Sequence, residues 1–190
     1  KRVIVGRIET GEIKLNDELF FLPSNEIVKL SSFEVWPKAK KKYMSGDNIA
    51  ITIEDQIFFD KGNLISHVTD CPKLMNTFEA SLFWLSEKKL KVDTQYLMKI
   101  NTGEYNITVS EVSKIIDTNN LNSKSSNLSP QKNDVCEVII HSSQLIPMDD
   151  FKDNQKTGRF CILDEEKIIA GGIINLQNFP DQKELIQTKN

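Results

Sequence analysis

From residue 3 to residue 175, apolar side chains recur at every second position, in runs too short for helices and cut by turn residues. A period of two is the mark of strands that bury one face. Ile49, Ile51 and Ile53 alternate with Ala50, Thr52 and Glu54. Phe78, Ala80, Leu82 and Trp84 alternate with Glu79, Ser81 and Phe83, and Tyr105, Ile107 and Val109 with Asn106, Thr108 and Ser110. The pattern predicts strands near 3–8, 18–22, 26–36, 48–54, 63–67, 76–86, 95–101, 104–116, 134–141, 158–164 and 168–175. Ser24-Asn25, Ser45-Gly46-Asp47-Asn48, Lys61-Gly62-Asn63, Asn101-Thr102-Gly103 and Lys156-Thr157-Gly158 supply turns between most of them. Many short strands and almost no amphipathic helix make an all-β fold, a sandwich or barrels.

Two stretches break the rhythm. Thr69 to Asn76, TDCPKLMN, carries Pro72, which cannot donate to a ladder, and lies between two complete strand sets. A domain boundary belongs there, giving domains at 1–70 and 71–178 and a polar tail at 179–190. Asp117 to Asn133 is rich in Ser and Asn and reads as a long loop of the second domain, pinned by Leu121 and Leu128. The opening, Val3 to Pro23, reads as strand, tight turn at Thr10-Gly11, short extended piece at Ile13-Lys14-Leu15, turn at Asn16-Asp17, strand. The chain begins Lys1-Arg2-Val3 and runs straight into a strand, as a piece of something longer would.

Side-chain chemistry narrows the function by exclusion. A hydrophobic content of 39% suits a packed core, and the longest apolar runs, such as Ile168 to Ile174, fall far short of the ~20 residues of a membrane helix. A net charge of -3 argues against gripping nucleic acid by bulk charge. The local basic run Lys38-Ala39-Lys40-Lys41-Lys42 reads as a solvated loop, although Trp36 beside it could stack a base of a single strand. Cys71, Cys136 and Cys161 lack metal-ligand spacing and suit a reducing cytoplasm, with Cys136 and Cys161 as small core residues. Nothing in the sequence nominates a catalytic partner for His67 or His141. Asp149-Asp150 and Asp164-Glu165-Glu166 read as solvated turns, and Gly171-Gly172 as close strand packing or a bulge. There is no G-x-x-x-x-G-K-[ST] phosphate loop and no G-x-G-x-x-G. The residues alone therefore describe two small β domains with no catalytic, cofactor-binding or metal-binding constellation.

Gly6-Arg7-Ile8-Glu9-Thr10-Gly11-Glu12-Ile13-Lys14-Leu15-Asn16-Asp17-Glu18 resembles the G-R-[IV]-E-x-G-x-[IV]-K-x-G-[DE]-E start of the second domain of elongation factor Tu-like translational GTPases. Ser45-Gly46-Asp47-Asn48-Ile49 is similar to that superfamily's A-G-D-N-[IV] turn. Within it the chain most resembles the large, GTP-binding subunit of bacterial ATP sulfurylase (sulfate adenylyltransferase). That likeness is carried by Ile53-Glu54-Asp55-Gln56-Ile57 with Asp60-Lys61-Gly62-Asn63-Leu64-Ile65, and by Phe83-Trp84-Leu85-Ser86-Glu87 with Leu90. Tyr96-Leu97-Met98-Lys99 with Thr102, and Ile116-Asp117-Thr118-Asn119-Asn120-Leu121, add to it. So do Pro147, Asp150, Phe151, Asn154, Thr157-Gly158-Arg159-Phe160, Leu163 and Asp164. The chain departs from the pattern at Ile169-Ala170-Gly171-Gly172, Gln56 and Phe59.

The resemblance implies two consecutive antiparallel β-barrels of the elongation factor Tu domain II and domain III type, the first barrel short of its first strand. Gly6, Gly11, Gly46, Asp47, Gly62, Thr157 and Gly158 would be structural turn residues. GTP and Mg would belong only to an N-terminal domain that these residues lack, and the chain itself would hold no cofactor. The partners implied are that GTPase domain and a small sulfate-adenylating subunit, with Trp36, Lys40 and Lys41 as candidate contacts; no membrane or nucleic acid is implied. The barrels would couple GTP state to synthesis of adenosine 5′-phosphosulfate and pyrophosphate from ATP and sulfate. Two other readings stay open: an RNA-binding barrel module of a translation-type GTPase, and a stand-alone β-barrel interaction protein. A barrel without its first strand would leave a ladder edge at Val3 to Ile8, open or covered by a neighbouring chain.

Overall fold

The computed structural model describes residues 2–36, 40–118, 129–179 and the backbone path of 123–124. The expected anchors Leu121 and Leu128, and the tail from residue 180 on, lie outside them. The described residues contain strands and turns and no helix. The chain divides into two compact units, 1–72 and 73–190.

Unit 1 holds seven strands: β1 (Ile4–Arg7), β2 (Glu12–Lys14), β3 (Glu18–Leu22), β4 (Glu26–Phe33), β5 (Lys42–Met44), β6 (Asn48–Ile53) and β7 (Leu64–Ser66). Five form an antiparallel sheet in the order β1-β6-β4-β3-β7, and β2 pairs with β5 as a separate ribbon. The alternation read from the sequence places the core: Ile4, Leu19, Phe21, Val28, Leu30, Ile49 and Ile51 are buried on one face. Phe59 meets Phe21 edge-on at 5.4 Å.

Two equivalent turns join the ribbon to this sheet. In Lys14-Leu15-Asn16-Asp17, the Lys14 amide donates to Asp17 Oδ2 at 2.7 Å, and the Asp17 amide to the Lys14 carbonyl at 3.2 Å. In Met44-Ser45-Gly46-Asp47, the Met44 amide donates to Asp47 Oδ2 at 3.0 Å, and the Asp47 amide to the Met44 carbonyl at 3.0 Å. The third residue of each turn has positive φ, 71° at Asn16 and 96° at Gly46, which asparagine and glycine tolerate best. β5 was not foreseen, because three residues with one buried side chain, Tyr43, leave no readable alternation. Gly6 lies inside β1 and is not a turn residue.

Unit 2 holds β8 (Lys73–Trp84), β9 (Gln95–Ile100), β10 (Gly103–Ile116), β11 (Ser123–Lys124), β12 (Val135–Met148), β13 (Arg159–Asp164) and β14 (Lys167–Asn175). Six of them run β10-β12-β8-β14-β13-β9, and β9 pairs back onto β10, so the barrel closes. Its interior is filled by Phe78, Leu82, Trp84, Met98, Ile107, Val138, Ile140 and Ile162. At Gly172 an added Cβ would stand 2.3 Å from the Phe160 ring, so the glycine makes the space in which Phe160 meets Phe78 edge-on at 6.2 Å.

Three expectations are corrected here. β8 begins at Lys73, so the second half of the Thr69–Asn76 break is strand; Pro72 falls just before the ladder. β12 continues to Met148 across a register shift between His141 and Ile146. The polar run Ser142-Ser143-Gln144 hides the strand in the sequence, yet Ser142 is buried, with its hydroxyl donating to the Asn106 carbonyl at 3.2 Å. Cys161 is not a core residue: Phe160 and Ile162 point inward, so Cys161 faces outward, half-buried opposite Gly171 and Lys99. Cys136 is buried, and burial pushes its thiol up to about 12, which leaves it unreactive.

The β13–β14 turn places Glu165 and Glu166 consecutively at positive φ, 47° and 67°, where hairpins of this length favour Asn-Gly. Glu165 contributes only a 3.9 Å exposed contact to Lys88. The double substitution Glu165→Asn and Glu166→Gly is expected to raise stability by roughly 1–2 kcal/mol in urea unfolding, with an unchanged m-value.

Candidate functional site

Five of the residues that carry the resemblance, Asp150, Phe151, Asn154, Thr157 and Gly158, fall in the loop between β12 and β13. Asp150 is buried rather than solvated: its Oδ1 accepts the Lys152 amide and its Oδ2 the Leu176 amide, both at 2.8 Å. Thr157 Oγ1 donates to Asp149 Oδ2, and Asn154 Nδ2 donates to the same oxygen at 3.4 Å. The Gly158 amide donates to the Asn154 carbonyl, and the Ile174 amide to the Gly158 carbonyl, both at 2.9 Å. An added Cβ at Gly158 would stand 2.6 Å from Phe151 Cα, which is backbone and cannot yield as a side chain can. These groups fasten the loop to the end of β14. They are not arranged around a ligand.

In unit 1 the turn residues do the same work. Gly11 and Gly62 hold positive φ, 70° and 98°. The Gly46 amide donates to the Ile8 carbonyl at 2.9 Å and the Ser45 amide to the Gly11 carbonyl at 2.8 Å, so the Met44–Asp47 turn is tied to the turn at Thr10-Gly11.

What remains for recognition is a surface. Trp36 leaves β4 with its side chain 91% exposed. Pro37, Lys38 and Ala39 lie outside the described residues. Lys40 and Lys41 are exposed. The Lys40 amide donates to the Tyr43 hydroxyl at 3.0 Å, and its ammonium lies 5.9 Å from the Tyr43 ring centroid. Tyr43 is buried against Phe33, ring to ring at 4.7 Å, so the last lysines are held from below by an aromatic pair. Lys42 is committed elsewhere: with Lys14 it clasps Glu12, each ammonium 2.6 Å from a Glu12 oxygen. The two lysines hold the Glu12 carboxyl down to about 2. Cross-strand pairing of β2 with β5 brings these three together, which spacing in the sequence does not reveal.

The histidines acquire partners that the sequence did not name. His67 Nε2 lies 3.1 Å from Asp17 Oδ2, and His141 Nδ1 lies 3.0 Å from Thr77 Oγ1. Both are surface contacts, one to a carboxylate and one to a hydroxyl. Among the described residues no group of three His, Cys, Asp or Glu could hold a metal ion, and no helix is long and apolar enough to cross a membrane.

Comparisons with known proteins agree with this architecture. Residues 77–175 match the family model described as GTP-eEF1A C-terminal domain-like. Sulfate adenylyltransferase subunit 1 of Shewanella woodyi is 25% identical over 177 residues, which cover 93% of this chain and 38% of that protein. The protein of the same name from Bacteroides thetaiotaomicron is 22% identical over 171 residues, covering 86% of this chain and 35% of its own. The chain thus spans under two fifths of the curated relatives it matches. Among solved structures, sup35 complexed with GDP superposes with a TM-score of 0.80 at 20% identity, over 90% of this chain and 43% of that one. Sup35 complexed with GMPPNP gives 0.83 at 19% identity, with the same coverage. At these identities the structures establish the fold.

Two outcomes test this geometry. Gly158→Ala is expected to cost roughly 2 kcal/mol or more in urea unfolding, because backbone atoms must move. Gly171→Ala, where nothing lies within 4 Å of the added carbon, is the near-neutral control. Glu12 is expected to titrate by carbon-13 NMR with a midpoint near 2, returning toward the usual 4.5 when Lys14 and Lys42 are replaced by Ala. Its depressed folded pKa makes the contribution full above the ordinary carboxylate range and lost as pH falls toward the folded midpoint.

Proposed function

The chain belongs to the GTP-eEF1A C-terminal domain-like family, and from that premise we propose that it is the tandem β-barrel region of a sulfate adenylyltransferase GTPase subunit. The observation that carries the proposal is the likeness to sulfate adenylyltransferase subunit 1, which runs over 93% of the chain and so through both units. The two units correspond in this reading to barrels of the domain II and domain III type. They are non-catalytic. Their task is to carry the GTP state of a GTPase domain to the small subunit that makes adenosine 5′-phosphosulfate and pyrophosphate from ATP and sulfate. Transmission of this kind needs rigid bodies with defined surfaces, and turns locked by Asp17, Asp47 and Asp150 suit it.

GTP and Mg do not fit the residues described. The sequence has no phosphate loop, and no cluster of described side chains offers a metal donor set. In this reading the nucleotide is bound by a separate domain, and no step through it involves these residues. Cysteines kept as thiols rather than disulfides suit a cytoplasmic protein.

Trp36, Lys40 and Lys41 form the proposed contact with the partner, since a fully exposed Trp beside cations is the composition of an interface anchor. The same features favour one second reading, stacking of a single-stranded RNA base on Trp36.

Co-expression of the full-length gene product with a tagged small sulfate-adenylating subunit is expected to yield a stable complex. Trp36→Ala combined with Lys40→Glu and Lys41→Glu is expected to weaken it about tenfold with the circular dichroism unchanged. Failure of the wild-type proteins to co-purify overturns the proposal. Saturable RNA binding that falls steeply with salt and is lost in Trp36→Ala would transfer the assignment to the second reading.

A further inference from the structure

Tyr43 is the inward side chain of β5: Lys42 and Met44 on either side of it are exposed, and it stands opposite Ile13 of β2. Its ring packs on Phe33 within the core of unit 1. A phenylalanine would fill that space equally well. The hydroxyl is therefore the part of the side chain that the core does not require, and a buried hydroxyl costs free energy unless it is hydrogen-bonded. It accepts the Lys40 amide at 3.0 Å. The rest of this stem is held through its backbone: the Leu15 amide donates to the Lys41 carbonyl at 3.0 Å, and β5 begins at Lys42. On the other stem the Glu34 amide donates to the Ala50 carbonyl at 2.7 Å. Phe33 lies three residues before Trp36, and Tyr43 three residues after Lys40, so the aromatic pair stands at the foot of both stems. Neither Lys40 nor Lys41 pairs with a carboxylate among the described residues. Glu12 is taken by Lys14 and Lys42, and Glu34 accepts the Ser32 hydroxyl at 2.7 Å.

We propose, resting on the contact assigned above to Trp36, Lys40 and Lys41, that Tyr43 is the positioning residue of that contact. Its hydroxyl holds the backbone of Lys40 and so sets where the cations stand before a partner arrives. The Lys40 ammonium, 5.9 Å from the Tyr43 ring centroid, is drawn toward the same aromatic floor. A residue whose backbone is already fixed loses less conformational entropy on binding. The tie therefore contributes to affinity although Tyr43 itself is buried and touches no partner. Ring and hydroxyl have separate tasks. The ring is structural, and its loss would open the core beside Phe33 and Ile13. The hydroxyl acts through Lys40, and its loss leaves the core, the Phe33 contact and the aromatic floor under the ammonium in place.

Tyr43→Phe isolates that hydroxyl. In the full-length gene product the Lys40 amide is expected to exchange slowly with solvent, and at least about tenfold faster in Tyr43→Phe, while the amides of β6 keep their rates. Toward the tagged small sulfate-adenylating subunit, Tyr43→Phe is expected to weaken binding about fivefold with unchanged circular dichroism. With Lys40 and Lys41 both replaced by Ala, Tyr43→Phe is expected to change the affinity no further, a coupling that a merely structural hydroxyl does not produce. Wild-type proteins that do not bind each other overturn the contact itself. A complex that forms, is weakened by the lysine replacements and is indifferent to Tyr43→Phe overturns the positioning role alone. So does a Lys40 amide that exchanges freely in the wild type, a measurement that needs no variant to fold.

Discussion

A β-sheet leaves two edges of unpaired backbone groups unless it is closed, and closure is the constraint on which unit 2 depends. β10 satisfies it. Its first part, Gly103 to Thr108, pairs with β9, and Ile107 to Ile116 pairs with β12, so the six-stranded sheet returns on itself. With the backbone paired around the ring, the interior can be wholly apolar. Trp84 shows how complete the fit is: its ring is buried, and its indole N–H still reaches the Lys88 carbonyl at 2.9 Å. The close approach of Phe160 to Gly172 and the tie from Asp150 to Leu176 then fix how β13 and β14 enter the ring.

Unit 1 is built differently. Its sheet has five strands and two edges, and a short ribbon is attached through two aspartate-locked turns. The loop after β6 brings Ile57 and Phe59 against the core. Trp36 after β4 and the cations before β5 are exposed on this unit. The aromatic–basic surface gives unit 1 a place to meet another chain, whereas the closed barrel of unit 2 satisfies its own backbone.

The residues that carry the sequence resemblance to the family are mostly turn and packing residues. Gly11, Gly46, Asp47, Asp150 and Gly158 each sit where a turn needs positive φ, a carboxylate must receive a backbone amide, or a backbone approaches within van der Waals distance. Their pattern marks the architecture. The family assignment rests on the match over residues 77–175, and the partner must be argued from exposed side chains.

The sequence by itself determined the class of fold and the buried faces. Period-two alternation at Ile49–Ile53 and at Phe78–Trp84 is a local property, and turn residues such as Gly11 and Asn16-Asp17 act within four residues of chain. Tertiary structure alone decided the rest, because those features depend on register between distant strands. Asp149-Asp150 read as a solvated turn until the Leu176 amide arrived from the far end of β14. Cys161 read as core among apolar neighbours, but one position of strand phase turns it outward. Lys42 read as a member of a basic run, and pairing of β5 with β2 gave it to Glu12. His67 gained Asp17 across fifty positions of chain. A strand's own residues say which of its faces is apolar; only its neighbours say what each side chain meets.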